Sequence, residues 1–349
     1  ETQSTVTTPI QGASGVTSGV LQGAVTAALP TADTYALQVY VTDARSLRSN
    51  TLSGAIRVTP FPWTTKAPPL IAREYAGVAA LDGRLYVAGG QRTDQGTIPG
   101  PATAVVQVYD PQTDTWSNAP PMPTARMGLA LIAANGKVYA IGGSTDGFNN
   151  ATGTVEAFDP ATQAWTPRAA MPTARHFAAA ALVNGRIVVA GGRAQATDLL
   201  STVESFDPAT NTWATGAPMP TARRELAGVE LGGRLLAVGG YGDLLAQWVS
   251  TVEAYDPAAN AWAPRASMAA PRSHLAIAVV NGRVIVAGGE NVNRALDALE
   301  TYDPVANAWA VRTPSPTAFS RAAAGVVNDR VFVFGNGLTL EYVPANDIR

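Results

Sequence analysis

The chain has 349 residues, 14% of them charged, and a formal net charge of −2; without a basic stripe it offers no footing for nucleic acid. It contains no cysteine, which excludes disulfides, thiolate metal sites and a cysteine nucleophile. No apolar run approaches the roughly 18 residues of a membrane span, and the Ala, Thr, Val and Gly-rich composition, with Lys66 and Lys137 the only lysines, suits a secreted or cell-surface bacterial protein.

The chain begins at Glu1 rather than Met and is read as processed or trimmed. Residues 1–59 do not share the repeat that fills the remainder of the chain. Tyr35, Leu37, Val39 and Val41 alternate with Ala36, Gln38, Tyr40 and Thr42, the period-two pattern of a strand. Ile56 and Val58 mark another, closed by Pro60. With residues 20–30, these are similar to the last three strands of a bacterial immunoglobulin-like domain, in which Asp33 and Tyr35 would form the tyrosine corner. Two readings stand open: a domain fragment, or a sandwich completed by another chain. In the second, Thr5, Val6, Thr7, Thr8, Pro9 and Ile10 are an assembly arm donated to the open edge of a neighbouring copy, and head-to-tail donation builds a filament.

From residue 60 one pattern recurs. Glycine pairs fall at Gly89-Gly90, Gly142-Gly143, Gly191-Gly192, Gly239-Gly240 and Gly288-Gly289. Each is followed by an aromatic-Asp-Pro triplet led by Tyr109, Phe158, Phe206, Tyr255 or Tyr302, and then by Trp116, Trp165, Trp213, Trp262 or Trp309. A period of roughly fifty residues signals a propeller or solenoid. In the third copy, residues 177–183 form a strand, Asn184-Gly185 a tight hairpin turn, residues 187–190 the returning strand and residues 202–206 a third; Trp213 opens a fourth. Four antiparallel strands make one propeller blade.

Double glycine, aromatic-Asp-Pro, tryptophan and an arginine ten residues beyond it together resemble the Kelch family over residues 60–349. The resemblance implies an all-β fold: a six-bladed Kelch β-propeller preceded by the short immunoglobulin-like segment. The last repeat stops without its tryptophan strand. Trp63 and Arg73 have the Trp–Arg spacing of the other copies, so residues of about 61–70 are expected as the outer strand of the sixth blade, joining the ends of the ring.

The candidate residues come from the repeat. Trp63, Trp116, Trp165, Trp213, Trp262 and Trp309 are expected to fill the wedge between sheets, with carbohydrate stacking as the alternative. Arg73, Arg126, Arg175, Arg223 and Arg272 precede the inner strands and are expected near the channel mouth. The Kelch resemblance implies anion or acidic-peptide binding there. The recurrence of Glu156, Glu204, Glu253, Glu300 and Glu341, with Gln107 in the first blade, implies instead one structural ion pair per blade. Phe319 breaks the arginine series, with Arg321 two residues later. Arg223, Arg224 and Glu225 are similar to the channel-mouth cluster of sialic acid epimerases, which implies a glycan-binding or sugar-modifying alternative. Tyr241, Leu244, Leu245 and Trp248 form an apolar loop that either meets a partner or packs back on the ring. His176 and His274 stand at the start of non-adjacent inner strands, and no catalytic motif, metal site or cofactor is read. The expected role is therefore a non-enzymatic binding or structural module whose partners are other protein chains, copies of itself included.

Overall fold

The computed structural model describes residues 34–39, 52–57, 61–93, 100–195, 198–242, 247–292 and 294–347. The chain divides into two compact units at Phe61/Pro62. In the first unit the described residues are two strands, Thr34–Val39 and Leu52–Arg57, paired antiparallel with Thr34 opposite Arg57. The rest of the expected immunoglobulin-like segment, the arm of residues 5–10 included, lies outside the described residues.

Among the described residues of the second unit the regular elements are strands, apart from one turn of 3-10 helix, Pro344–Asn346. Among its described residues are six four-stranded antiparallel sheets. The third shows the plan: Ala179–Val183, Arg186–Ala190, Val203–Asp207 and Thr212–Gly216 pair in sequence order. Asn184 and Gly185 take φ of 48° and 77° in the first turn, the left-handed pair that a two-residue hairpin needs. The inner strands Gly77–Leu81, Ala130–Ala134, Ala179–Val183, Ala227–Leu231, Ala276–Val280 and Ala323–Val327 each touch the next, and the last touches the first. The sheets thus close into a ring. The second strands are buried on both faces, as in Arg186–Ala190, because each sheet lies between two others.

Three bonds repeat between neighbouring blades. The first runs from each outer-strand tryptophan, whose indole N–H donates to a carbonyl of the adjacent blade: Trp116 to Ala67, Trp165 to Pro120, Trp213 to Ala169, Trp262 to Ala217 and Trp309 to Ala266, at 2.7–2.9 Å. Each of these rings also tilts against the aromatic of its own blade. The second is a brace from the turn after the aromatic-Asp-Pro triplet. Asn260 accepts from the Tyr255 hydroxyl at 2.6 Å and from Ala217 N–H at 2.7 Å; Asp114 and Asn307 do the same. The third is at the glycine pair. Gly90 N–H donates to the Arg126 carbonyl, and a Cβ on Gly89 would lie 2.4 Å from that same oxygen. Only glycine admits the next blade so closely.

The sixth sheet is built from both ends of the unit. Trp63–Thr65 pairs with Leu338–Tyr342, setting Trp63 opposite Tyr342. Trp63 is buried, its ring 4.9 Å from that of Tyr342 and its indole bonded to Thr313 O at 3.1 Å. Asp347 completes the brace. It accepts from Tyr342 hydroxyl and from Thr313 N–H and hydroxyl, as Asn307 does one blade earlier. Trp63→Ala removes packing and a bond at the joint of the ring, and a buried large aromatic costs about 3–5 kcal/mol on truncation. The urea midpoint should fall accordingly with an unchanged m-value; an unaltered midpoint would show that this strand does not hold the ring.

Candidate functional site

The recurrent arginines line neither pocket at the channel mouth. Arg126, Arg175, Arg223 and Arg272 are among the largest fully buried side chains, and Arg73 is 5% exposed. Their burial, two residues before the mouth, closes them to the anion or acidic-peptide binding that the resemblance implies. Each guanidinium lies between the two ends of the segment that joins the second strand of its blade to the third. Arg126 Nη1 donates to Gly142 O and Thr154 O, at the start and end of that segment, both at 2.8 Å. Its Nη2 donates to Glu156 at 2.7 Å. Arg223 repeats the pattern with Gly239, Thr251 and Glu253; Arg175 with Gly191, Thr202 and Glu204; Arg272 with Gly288, Ala298 and Glu300. In the first blade Gln107 replaces the glutamate and accepts from Arg73 at 3.0 Å. Without a carboxylate beside it, burial pushes the Arg73 pKa down to about 10, still charged at neutral pH. The register of arginine and glutamate is thus a structural pair, and its work is to clamp a loop. Glu341, in the blade where Phe319 replaces arginine, pairs instead with Lys66 and Arg330.

The mouth is organised by the residue two positions later. Tyr75, Gly128, Phe177, Glu225, His274 and Arg321 all take positive φ, between 49° and 62°. Their backbones form a closed circle. Gly128 N–H donates to Tyr75 O, Phe177 to Gly128, Glu225 to Phe177, His274 to Glu225, Arg321 to His274 and Tyr75 to Arg321, all at 2.9–3.0 Å. One residue from each blade is thereby fixed around the axis.

Alternate members close the axis with rings. Tyr75 and Phe177 stand 5.0 Å apart, and the His274 ring is 5.2 Å from each, edge to face. A cavity of about 130 Å³ is lined by the six ring residues and the residue after each. A second pocket, of about 410 Å³, is lined by Tyr75, Phe148, Arg193, Arg224, Glu225, Tyr241, Trp248, His274 and Glu290.

Charges of alternating sign run across this pocket. Glu225 lies 3.7 Å from Arg193, 3.4 Å from Arg224 and 3.8 Å from His274. His274 Nδ1 is 3.0 Å from Glu290. Arg321 lies 3.3 Å from Glu290 and 3.2 Å from Glu74. Burial pushes the Glu290 carboxyl up, but the bond and charge of His274, with Arg321, more than reverse this and hold it below the usual range. Burial raises the Tyr75 hydroxyl. The guanidinium of Arg193 lies 4.8 Å from the Phe148 ring centre, Arg224 4.8 Å from Tyr241 and Arg321 5.5 Å from Tyr75, within the range of cation–π attraction.

Arg224, Glu225, Tyr241 and Trp248 therefore meet at the mouth. Tyr241–Gly242 pairs with Gln247–Trp248, and the two rings pack edge to face at 5.7 Å; Leu244 and Leu245 lie outside the described residues. Phe148, Arg193, Glu290 and the ring position itself were not singled out by motif. A signal was nonetheless present in the sequence. Six copies agree around this position, yet the position holds six different residues: Tyr75, Gly128, Phe177, Glu225, His274 and Arg321.

Comparison with known families agrees with this geometry. A KLHDC2/KLHL20/DRC7 Kelch-repeats domain matches residues 166–336, and the Kelch motif matches residues 72–123 and 125–172. The chain carries Kelch repeats. Kelch-like protein 25 of Xenopus tropicalis is 37% identical over 86 residues, 24% of this chain and 15% of that protein. Beta-scruin of Limulus polyphemus is 34% identical over 89 residues, 26% of this chain and 9% of that protein. The alignments thus span a small part of these relatives. The solved structure of YjhT superposes with a TM-score of 0.61 at 18% identity, covering 80% of this chain and 92% of that one, and shows a shared fold. Kelch repeats imply a protein-binding module. Among the described residues no helix is long and apolar enough to cross a membrane.

Two outcomes test the buried groups of these Kelch repeats. Arg175→Met leaves Glu204 buried without its partner, and breaking such a pair costs about 3–5 kcal/mol. Adding Glu204→Met should restore much of that loss in denaturant unfolding; if the double variant is as unstable as the single, the pair is not the unit. His176 is 1% exposed, and burial, with Arg193 next, lowers its pKa from 6.5 to about 3. The folded state resists the proton that the unfolded state accepts. Its contribution is therefore constant above pH 6.5 and is lost as pH falls from 6.5 towards 3. In His176→Phe the acid limb of stability against pH should be shallower by up to about 1.4 kcal/mol per unit; an identical limb would place the titration elsewhere.

Proposed function

We propose that this chain is a non-enzymatic Kelch binding module, secreted or held at a cell surface, which recognises a partner protein at its mouth. The observation that carries the reading is the ring of left-handed residues. A non-glycine residue in that conformation is strained by about 1–3 kcal/mol, and Gly128 is a ring member that avoids the strain. Five large side chains nevertheless occupy the other positions and converge on the axis, charged and aromatic together. Strain held at a cluster of this kind points to recognition, as do buried aromatics and arginines grouped in one pocket. Copies of the same chain are among the partners proposed, through the arm of residues 5–10.

A second reading rests on the Tyr241–Trp248 pair, which stands beside Glu225 and Glu290 in one pocket. An aromatic wall next to carboxylates suits a sugar, stacked on one face and bonded through its hydroxyls. Thermal shift with acidic and neutral sugars distinguishes the two, since a ligand that binds only the folded state raises its melting temperature by mass action.

The primary reading is tested with the intact chain as bait for extracellular proteins of its source, beside Trp248→Ala and Arg321→Gly. Proteins retained by the parent should be lost by both variants; equal retention would move the binding surface away from the mouth. At residue 321 glycine should also be more stable than alanine by about 1 kcal/mol, because alanine keeps the left-handed strain and glycine does not. The stability order and the binding loss together separate strain from contact.

A further inference from the structure

The outer strand of each blade leaves one edge of its sheet unpaired, and an open edge offers backbone groups to another chain. Two prolines identify those groups. Pro167 and Pro264 lie in the outer strands of the second and fourth blades, opposite Glu156 and Glu253. Proline donates nothing to a ladder, so this position faces away from its own sheet. In an antiparallel pair such positions alternate, so the tryptophan two residues earlier faces outward as well. In the fifth blade the same two places hold Trp309 and Val311, opposite Tyr302 and Glu300.

The other edges are guarded. The prolines remove an outward N–H from two of them, and in the fourth blade Arg265 also donates to the carbonyl of Pro264 at 2.9 Å. The strand of the sixth, Trp63–Thr65, is short. The first and third set polar Asn118 and Thr215 at the outward place. The fifth has none of these guards. Its strand is Ala308–Arg312, and Val311 is 71% exposed, an apolar β-former on an open edge. Its one charge is tied back, Arg312 Nε donating to Thr301 of the same sheet at 3.0 Å. Just beyond, Thr313 N–H is taken by Asp347 and Thr313 O by the Trp63 indole, so the free edge is confined to Trp309 and Val311.

We infer that two copies of this chain pair along this edge, antiparallel, across a two-fold axis at Ala310. Trp309 of each copy then stands opposite Val311 of the other, and the outward groups of these residues bond in both directions. Both side chains lie on one face of the strand, so each exposed valine covers the half-buried tryptophan of the other copy. Aromatic with β-branched is a favourable cross-strand pair. Ala310 meets itself, where the strands approach most closely and a small side chain fits. Arg312 falls opposite Ala308, so no like charges meet. Centred one residue either way, the pair would set Val311 against Asn307, which is in the turn at φ 49°, or Trp309 against Thr313, which is already bonded. The contact is isologous and closes at two copies. Residues 308–312 line neither pocket of the mouth, so the pairing uses no residue of the mouth and presents two mouths in one assembly, the arrangement that gives avidity.

Sedimentation equilibrium of the intact chain tests the pairing. A dimer should form as the concentration rises towards about 1 mM. Val311→Pro should weaken it by about tenfold or more at the melting temperature of the parent, since two other blades carry proline at that place. Thr215→Pro, the same change in the third blade, should leave the dimer intact. The chain has no cysteine, so Ala310→Cys reads the register: air oxidation should link two chains, because residues opposed in an antiparallel pair come within disulfide reach. Ala214→Cys, its counterpart in the third blade, should stay unlinked. A parent that remains monomeric at about 1 mM overturns the pairing, as does Ala310→Cys linking no faster than Ala214→Cys; this second readout decides alone if Val311→Pro lowers the melting temperature. A dimer that survives Val311→Pro also overturns it and leaves self-assembly to residues 5–10.

Discussion

The guanidinium buried between the two ends of a loop is the constraint on which the mouth depends. The segments that wall it are long and have little regular structure, so they cannot hold their own shape. Each is fixed where it leaves the second strand and where it enters the third. Arg126 does this with bonds to Gly142 and Thr154 while Glu156 balances its charge. Burying an ion pair brings little net stability, because desolvation offsets the attraction. Its value here is geometric. A planar fork with donors in fixed directions sets the separation of two backbone points, which an apolar side chain of the same volume does not do. The last blade supports this reading: where there is no long segment, the arginine is replaced by Phe319.

The clamp serves a ring whose other contacts pass from one blade to the next. Apolar side chains fill the space between sheets, as Leu236, Val238, Val284 and Val286 do between the fourth and fifth. Packing of that kind is not directional and does not by itself fix how far one sheet rotates over another. The tryptophan indoles, the Asn and Asp braces and the glycine pairs are directional, and every one of them spans two blades. Register around the ring is therefore set by polar bonds and cohesion by apolar area. The joint between the chain's ends obeys the same rule, with Trp63 and Asp347 supplying an indole and a brace where the regular repeat has run out.

Much of this was legible because it is local. Asn184-Gly185 requires a hairpin, the apolar residues 187–190 require a neighbour on both faces, and Asp207-Pro208 opens a turn, whatever the rest of the chain does. The pairing of arginine with glutamate was legible as well, from two charges repeated in register. Their burial was not, because the groups that surround Arg126 come from residues 140–156 and depend on where the strands end. Trp248 was found as the tryptophan off the repeat, and Glu225 through the resemblance of Arg223, Arg224 and Glu225 to an epimerase cluster. Phe148, Arg193 and Glu290 sit in segments that vary in length and sequence from blade to blade, so no spacing marked them; they meet only because the clamped segments of neighbouring blades converge on one pocket.

A symmetric scaffold with an asymmetric centre is the consequence. The six ring positions are alike in backbone, and nothing in the circle of hydrogen bonds distinguishes one from another. What differs is how the side chains fit. A Cβ on Gly128 would lie 2.7 Å from the Phe177 ring, so the second blade gives up its side chain to make room for that of the third. Phe177 then reaches Tyr75 and His274, and three rings from alternate blades close the axis. The charged members, Glu225 and Arg321, are left on the same side as His274, where Glu290 joins them. Around the ring itself, Tyr75 and Phe177 therefore stand on one side and Glu225 and Arg321 on the other. That division does not come from the fold, which would accept glycine at all six positions with less strain. It comes from the five side chains at the positions other than Gly128, and they are among what one Kelch propeller with this backbone has to distinguish its ligand from another's.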